Sequence, residues 1–124
     1  MAVAPIALPE ALKGLESRAV RIRPDVVLSC TLVDLNIVLE RPELPVGERF
    51  DLIVATNVLV YYDTLEQALA LQNLSTMLKP GGYVLSNERL PELPEVHIRS
   101  TGYTSVRYSD GAAAGDNIFW YQKS

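Results

Sequence analysis

At 124 residues, 48% of them hydrophobic and 21% charged, the chain can bury one small core but not two, and its composition excludes a disordered polymer. A net charge of −4, with the Lys and Arg residues scattered, argues against a nucleic-acid surface, because neutralising phosphates takes clustered cations. Arg18, Arg21 and Arg23 lie close together and are read as a solvated face. The single cysteine, Cys30, forbids an internal disulfide. Its apolar setting, VVLSCTLV, predicts a buried, inert thiol.

In chain order, MAVAPIALPEALKG lacks a basic leader, and Pro5 and Pro9 interrupt it. Neither a signal peptide nor a membrane anchor is expected from it, and the cytoplasm is the default compartment. Residues 1–24 are weakly patterned, with room for a short helix between Pro9 and Gly14. From Val26 to Glu40 the β-branched run VVLSCTLVDLNIVLE predicts one or two strands, with a helix as the other possibility. The segment RPELPVGER then marks a loop.

Phe50–Ala55 is a short, almost continuous apolar run, as in a parallel strand covered on both faces. Asp63 with Glu66 three residues on predicts a capped helix start, and the helix should run to about Leu78. Its leucines spread over more than a narrow stripe, so it should pack on the sheet and touch a further neighbour. Lys79, Pro80, Gly81 and Gly82 supply the stop. Tyr83–Ser86 is the next strand. Past Pro91 and Pro94, strands near 103–109 and 117–123 are expected to form an antiparallel hairpin around the turn-forming DGAAAGD. The chain therefore reads as a single α/β domain over 1–124, with residues 50–123 as its core and residues 1–40 poorly defined.

In a parallel β-α-β sheet, ligands sit beyond the carboxyl ends of the strands. Thr56, Asn57, Val58 and Leu59 would line that crevice. Asn57 can donate and accept, which suits an adenine edge or ribose hydroxyls, and it suits equally well a turn cap that satisfies local backbone. Other constellations are thin. His97 and a distant Cys30 make no metal site, and no metal is expected. Tyr61 and Tyr62 are read as packing residues, Glu92 and Glu95 as solvated carboxylates, and Trp120 as cover for the sheet.

The succession FDLIV, ATNVLVYYD, a helix and MLKPGGYVL is similar to the downstream half of the class I S-adenosylmethionine-dependent methyltransferases. The nearest likeness is to the chemotaxis-receptor glutamate methyltransferases, which carry an Arg-Asn-Val-Leu-Ile-Tyr-Phe-like segment in the place of ATNVLVYY. The resemblance covers about Glu40 to Gln122. It implies a Rossmann-like, mostly parallel sheet with a C-terminal antiparallel hairpin, and S-adenosylmethionine as cofactor. It assigns Asn57 and Val58 to cofactor contact and places Glu40, loosely, at the acidic position that meets the adenine amino group.

The departures matter as much. The family's first βα turn carries a Gly-x-Gly-x-Gly-like loop, but the glycines here stand at 14, 47, 81, 82, 102, 111 and 115. None makes that pattern before Phe50, so the sheet is expected to be incomplete on its N-terminal side. For the acidic residue that normally holds the ribose, Asp34 is the one candidate. An Asp/Asn-Pro-Pro-Tyr/Phe segment is absent, which lowers the expectation of base or glutamine methylation. Two readings follow. One is a methyltransferase domain or its C-terminal fragment, with weak cofactor binding by itself, an unidentified acceptor and no catalytic residue yet named. The other is a non-catalytic Rossmann-like remnant that serves as an interaction module, either as a homodimer or completed by another chain. Nucleic acid and membrane are not expected partners.

Overall fold

The computed structural model describes residues 3–15, 18–107 and 115–124. They fall into two units, Met1–Asp34 and Leu35–Ser124. In the first, strand β1 (Val3–Ile6) pairs antiparallel with β2 (Ala19–Ile22), with Ile6 opposite Ala19. The short helix expected between Pro9 and Gly14 is a single 3-10 turn, Glu10–Leu12. Gly14 then takes a positive φ of 96°, which ends any helix there. Arg18, Arg21 and Arg23 are exposed, as a solvated face requires.

Two readings of this region are corrected. The Val26–Glu40 run forms no strand. A five-residue helix, α1 (Pro24–Leu28), is followed by irregular chain up to Phe50. The proline at the first helical position fixes φ for the helix, and Val27 and Ser29 donate backbone bonds to Arg23 and Asp25. Further on, Asn36 diverts the backbone. Its side chain accepts from the Val38 N–H at 3.1 Å, and its own N–H donates to Glu40 Oε1 at 3.0 Å. Such local side-chain bonds compete with a sheet ladder. Cys30 is exposed instead of buried, because the apolar run around it has no sheet to enter.

The second unit carries the β-α-β step. Strand β3 (Phe50–Val54) leads through a loop into helix α2 (Thr64–Met77), and α2 returns into β4 (Leu78–Ser86), parallel to β3. Asp63 caps α2 through a reciprocal box: it accepts from Glu66 N at 2.9 Å, and Glu66 accepts from Asp63 N at 3.0 Å. The helix ends one residue before the expected Leu78. Strand β4 begins earlier than Tyr83 because the Lys-Pro-Gly-Gly segment already belongs to it. The two glycines serve different needs. Gly81 has φ 78°, whereas a Cβ on Gly82 would meet Lys79 O at 2.9 Å and Asp51 O at 3.1 Å. Lys79 also pairs with Asp51 at 2.6 Å across the strand entrances.

Strands β5 (Ile98–Arg107) and β6 (Gly115–Lys123) form the antiparallel hairpin, and the sheet order is β3-β4-β6-β5. The connecting residues 108–114, where the DGAAAGD turn was expected, lie outside the described residues. Among the described residues, only one face of this sheet is packed by a helix of the unit. Leu71, Leu74 and Met77 of α2 close on Val84, Ile53 and Tyr121, and Leu90, Val96 and Ile98 extend the same cluster. The expected second neighbour of α2 is the turn at 37–39. Asn73 Nδ2 donates to Ile37 O at 2.7 Å and to Val38 O at 3.2 Å. Trp120 lies on the opposite face, edge-on to Tyr83 with centroids 6.2 Å apart.

Candidate functional site

The carboxyl ends of β3 and β4 open side by side. The last rung between them is Ala55 N to Leu85 O, 2.8 Å. Beyond it Thr56, Asn57 and Val58 are exposed, and Leu59 turns back into the core at 1% exposure. A 3-10 turn, Leu59–Tyr61, follows, and Gln67 on α2 donates to Leu59 O at 3.0 Å. The loop is thus anchored on its far side by Leu59 and Gln67. Three residues are left to face outward over the strand ends.

Asn57 is the only non-glycine residue with positive φ among those described, at 55°. Asparagine tolerates this left-handed geometry better than most side chains. What holds it there is Asn87, the first residue past β4. Asn87 Oδ1 accepts from Asn57 N at 2.9 Å, and Asn87 Nδ2 donates to Asn57 Oδ1 at 2.7 Å. The two amides form a reciprocal bridge across the mouth of the β-α-β unit. The Asn57 Nδ2 group keeps its donors, since no described residue accepts from it. The backbone-satisfying reading of Asn57 and its ligand reading are therefore compatible: one side of the amide is tied down and the other faces out.

The remaining assignments fall on different elements. Val58 is exposed at 40% beside Asn57, while Leu59 offers the crevice its backbone and not its side chain. Glu40 is exposed and engaged with its own turn through Asn36 N. That turn is held by Asn73, four residues from the C-terminal end of α2, and no described hydrogen bond joins Glu40 to Asn57. Asp34 is exposed at the end of the first unit. Of the aromatic pair, Tyr62 packs against the core and Tyr61 is 78% exposed. His97 is exposed in the loop before β5. Glu92 is exposed, as read, and also accepts from Ser100 N at 3.1 Å.

Asn87 is the residue that sequence reasoning missed. The signal was present: like Asn57, it is a polar residue just past the end of a parallel strand of the same β-α-β unit. Over the strand ends the crevice offers one free amide donor, Asn57 Nδ2, of the kind that an adenine edge or a ribose hydroxyl can accept from. A backbone cradle for the methionine end is not supplied by any glycine-rich turn in the sequence. Among the described residues no cluster of His, Cys, Asp and Glu could hold a metal ion, and no helix is long and apolar enough to cross a membrane.

No curated protein matches the chain. Among solved structures, the N-methyltransferase NodS from Bradyrhizobium japonicum WM9 is similar at 19% identity and a TM-score of 0.48, with 72% of this chain covered and 57% of NodS. Its complex with S-adenosyl-L-homocysteine gives the same identity and TM-score, with 52% of that chain covered. The chain thus spans a little over half the length of these structures. Residues 11–105 match the family described as CheR methyltransferase, SAM binding domain. That match takes in α2, the Asn57 loop and most of β5, and on its strength the chain belongs to the CheR family of S-adenosylmethionine-dependent methyltransferase domains.

Proposed function

We propose that this chain supplies the adenine-facing half of an S-adenosylmethionine site in a methyltransferase, and that tight cofactor binding requires a further strand against the outer edge of β3. The observation that carries the reading is the position of β3. It is an edge strand, parallel to β4, and the asparagine bridge sits at its carboxyl end. Parallel strands are normally flanked on both sides. A neighbour carrying a glycine-rich turn on that edge would bring backbone donors to the side of the crevice that now lacks them. Methyl transfer depends largely on holding cofactor and acceptor in line, so the absence of an evident general base is compatible with this role. The acceptor is left open, and the proposed compartment is the cytoplasm.

Calorimetric titration of the 124-residue chain with S-adenosylmethionine and S-adenosyl-L-homocysteine tests it. Binding should be weak or absent. A dissociation constant near micromolar, about 8 kcal/mol, would show that the cradle is not needed and overturn the reading.

A second reading, an interaction module without catalysis, is favoured by the other face of the sheet. Phe50, Leu52 and Val54 on β3 are 38%, 51% and 59% exposed, and no described helix of the unit covers them. An open edge beside an apolar face is a site for pairing with a second copy or a complementing chain. Light scattering at tens of micromolar should then give a dimer. A monomer that unfolds cooperatively removes the second-copy form of this reading.

A further inference from the structure

On the face of the sheet that α2 packs, but past the end of the helix cluster, a cavity of about 290 Å³ opens between the loop after β4 and strands β5 and β6. Its floor is aromatic. Phe119 and Tyr103 are opposite one another on β6 and β5, with ring centroids 5.7 Å apart. Gly102, at the bulge between Ser100 and Gly102, leaves its side open, since a Cβ there would meet nothing within 4 Å.

Three polar groups converge on this floor. The Arg89 guanidinium stands 5.6 Å from the centre of the Phe119 ring, and no described residue accepts a hydrogen bond from it. Glu92 uses one carboxylate oxygen to accept from Ser100 N, and the other has no described partner. Tyr121, 2% exposed, accepts from Leu90 N at 2.7 Å, which leaves its O–H free to donate into the cavity it lines. Arg89 and Glu92 line the same space without pairing with each other. Burial pushes the Tyr121 phenol up; the Leu90 N–H bond and the Arg89 charge pull it down, and the Glu92 charge adds to the rise. Both charges therefore act on the one buried hydroxyl.

A purely anionic ligand would meet Glu92, and a purely cationic one would meet Arg89. A molecule carrying both charges meets neither objection. Its carboxylate would take the guanidinium fork and the Tyr121 O–H, its ammonium would take the free oxygen of Glu92, and its side chain would lie on the Phe119–Tyr103 floor. From these positions we infer that the cavity is a binding site for a free α-amino acid with an apolar, preferably aromatic, side chain. The inference does not depend on the cofactor reading, because none of these residues belongs to the Thr56–Asn57–Asn87 crevice.

The experiment follows backbone amide shifts of the isotope-labelled chain during titration with L-phenylalanine. Phenethylamine, which lacks the carboxylate, and 3-phenylpropionate, which lacks the ammonium, serve as matched probes. Saturable shifts are expected at Leu90, Ser100 and Gly102 with L-phenylalanine, at least tenfold tighter than with either half-ligand. Arg89→Gln should weaken L-phenylalanine at least tenfold while leaving phenethylamine unchanged or improved. Glu92→Gln keeps an acceptor for Ser100 N, so the loop is preserved; it should weaken L-phenylalanine and spare 3-phenylpropionate. No saturable shift with any probe, equal affinity for all three, or indifference of L-phenylalanine to both substitutions would overturn the assignment.

Discussion

The two faces of the four-stranded sheet are built from similar residues and have opposite fates. On one, Val84 is fully buried and Tyr121 is 2% exposed, because α2 delivers Leu71 and Leu74 onto them. On the other, Leu52 and Val54 on β3 alternate with Ile53 and are more than half exposed. An apolar strand that reads as two-sided is thus covered on one side by its own unit. Hydrophobic patterning encodes the number of faces a strand expects to bury, and it does not say which chain provides the cover.

The largest expected effect tests this asymmetry directly. Leu74→Ala should cost roughly 2–5 kcal/mol through lost burial and a residual cavity, since Leu74 is 3% exposed in the centre of the cluster. Leu52→Ala, on the uncovered face, should stay within about 0.5 kcal/mol in the isolated chain. Chemical denaturation of the two variants gives both numbers. Equal losses would mean that the second face is covered in solution, and the comparison would fail.

A smaller contrast runs along β4 itself. Gly82→Ala puts a methyl group against two backbone carbonyls, on the side where Lys79, Asp51 and the Leu78 side chain leave no room. It should cost about 1–3 kcal/mol, the usual range for overpacking. Gly81→Ala meets open space and suffers only the left-handed backbone, about 1–2 kcal/mol. Thermal melts of the pair sharpen the comparison if Gly82→Ala is the worse of the two. The reverse order would mean that β4 can shift away from β3 more freely than its packing suggests.

Much of this arrangement was legible in the sequence, and the failures have a common cause. The capping pair Asp63 and Glu66 and the alternation in the hairpin are local signals, and each produced its element, whereas Lys79–Gly82, read as the helix stop, lies inside β4 after a helix that ends at Met77. The Val26–Glu40 run failed because β-branched composition is only permissive: a strand forms where a neighbour supplies the ladder. Here Pro24 fixed a helical start and Asn36 offered local bonds instead. The burial expected for Cys30 fell with that strand. Topology alone placed Thr56, Asn57 and Val58 past the strand ends, but Leu59 faces inward because the 3-10 turn rotates it. Asn87 was legible as a polar residue past a strand end, but its pairing with Asn57 was not, because a contact spanning thirty positions leaves no spacing to read.

The asparagine bridge ties the crevice to the packed part of the sheet, and it can be broken from either end. Asn87→Ala removes both hydrogen bonds and should cost about 1 kcal/mol, with faster amide exchange at Asn57. Asn57→Gly removes the side chain but suits φ 55°, so stability should be retained. If cofactor binding is restored in a completed sheet, both substitutions should weaken it. An Asn57→Gly chain that binds as well as the parent would take the Asn57 amide out of the site.

The smallest effect is a pH dependence at the edge of the packed face. Burial raises the Tyr121 phenol above its ordinary value, while the Leu90 N–H bond and the Arg89 charge partly offset the rise. A folded-state value above the unfolded one means that the native chain holds the proton longer as pH increases. The contribution to stability is therefore whole below the unfolded value, about pH 10, and is lost as pH climbs through the folded value. Tyr121→Phe removes the titration, leaves the Leu90 N–H without its acceptor and should lower stability at neutral pH by about 1 kcal/mol. Above pH ~10 the gap between the two proteins should narrow, because only the parent then carries the cost of a buried phenolate. Denaturation midpoints collected at neutral and alkaline pH decide it: a constant gap would mean that the hydroxyl is solvated, and that the packed face ends before β6.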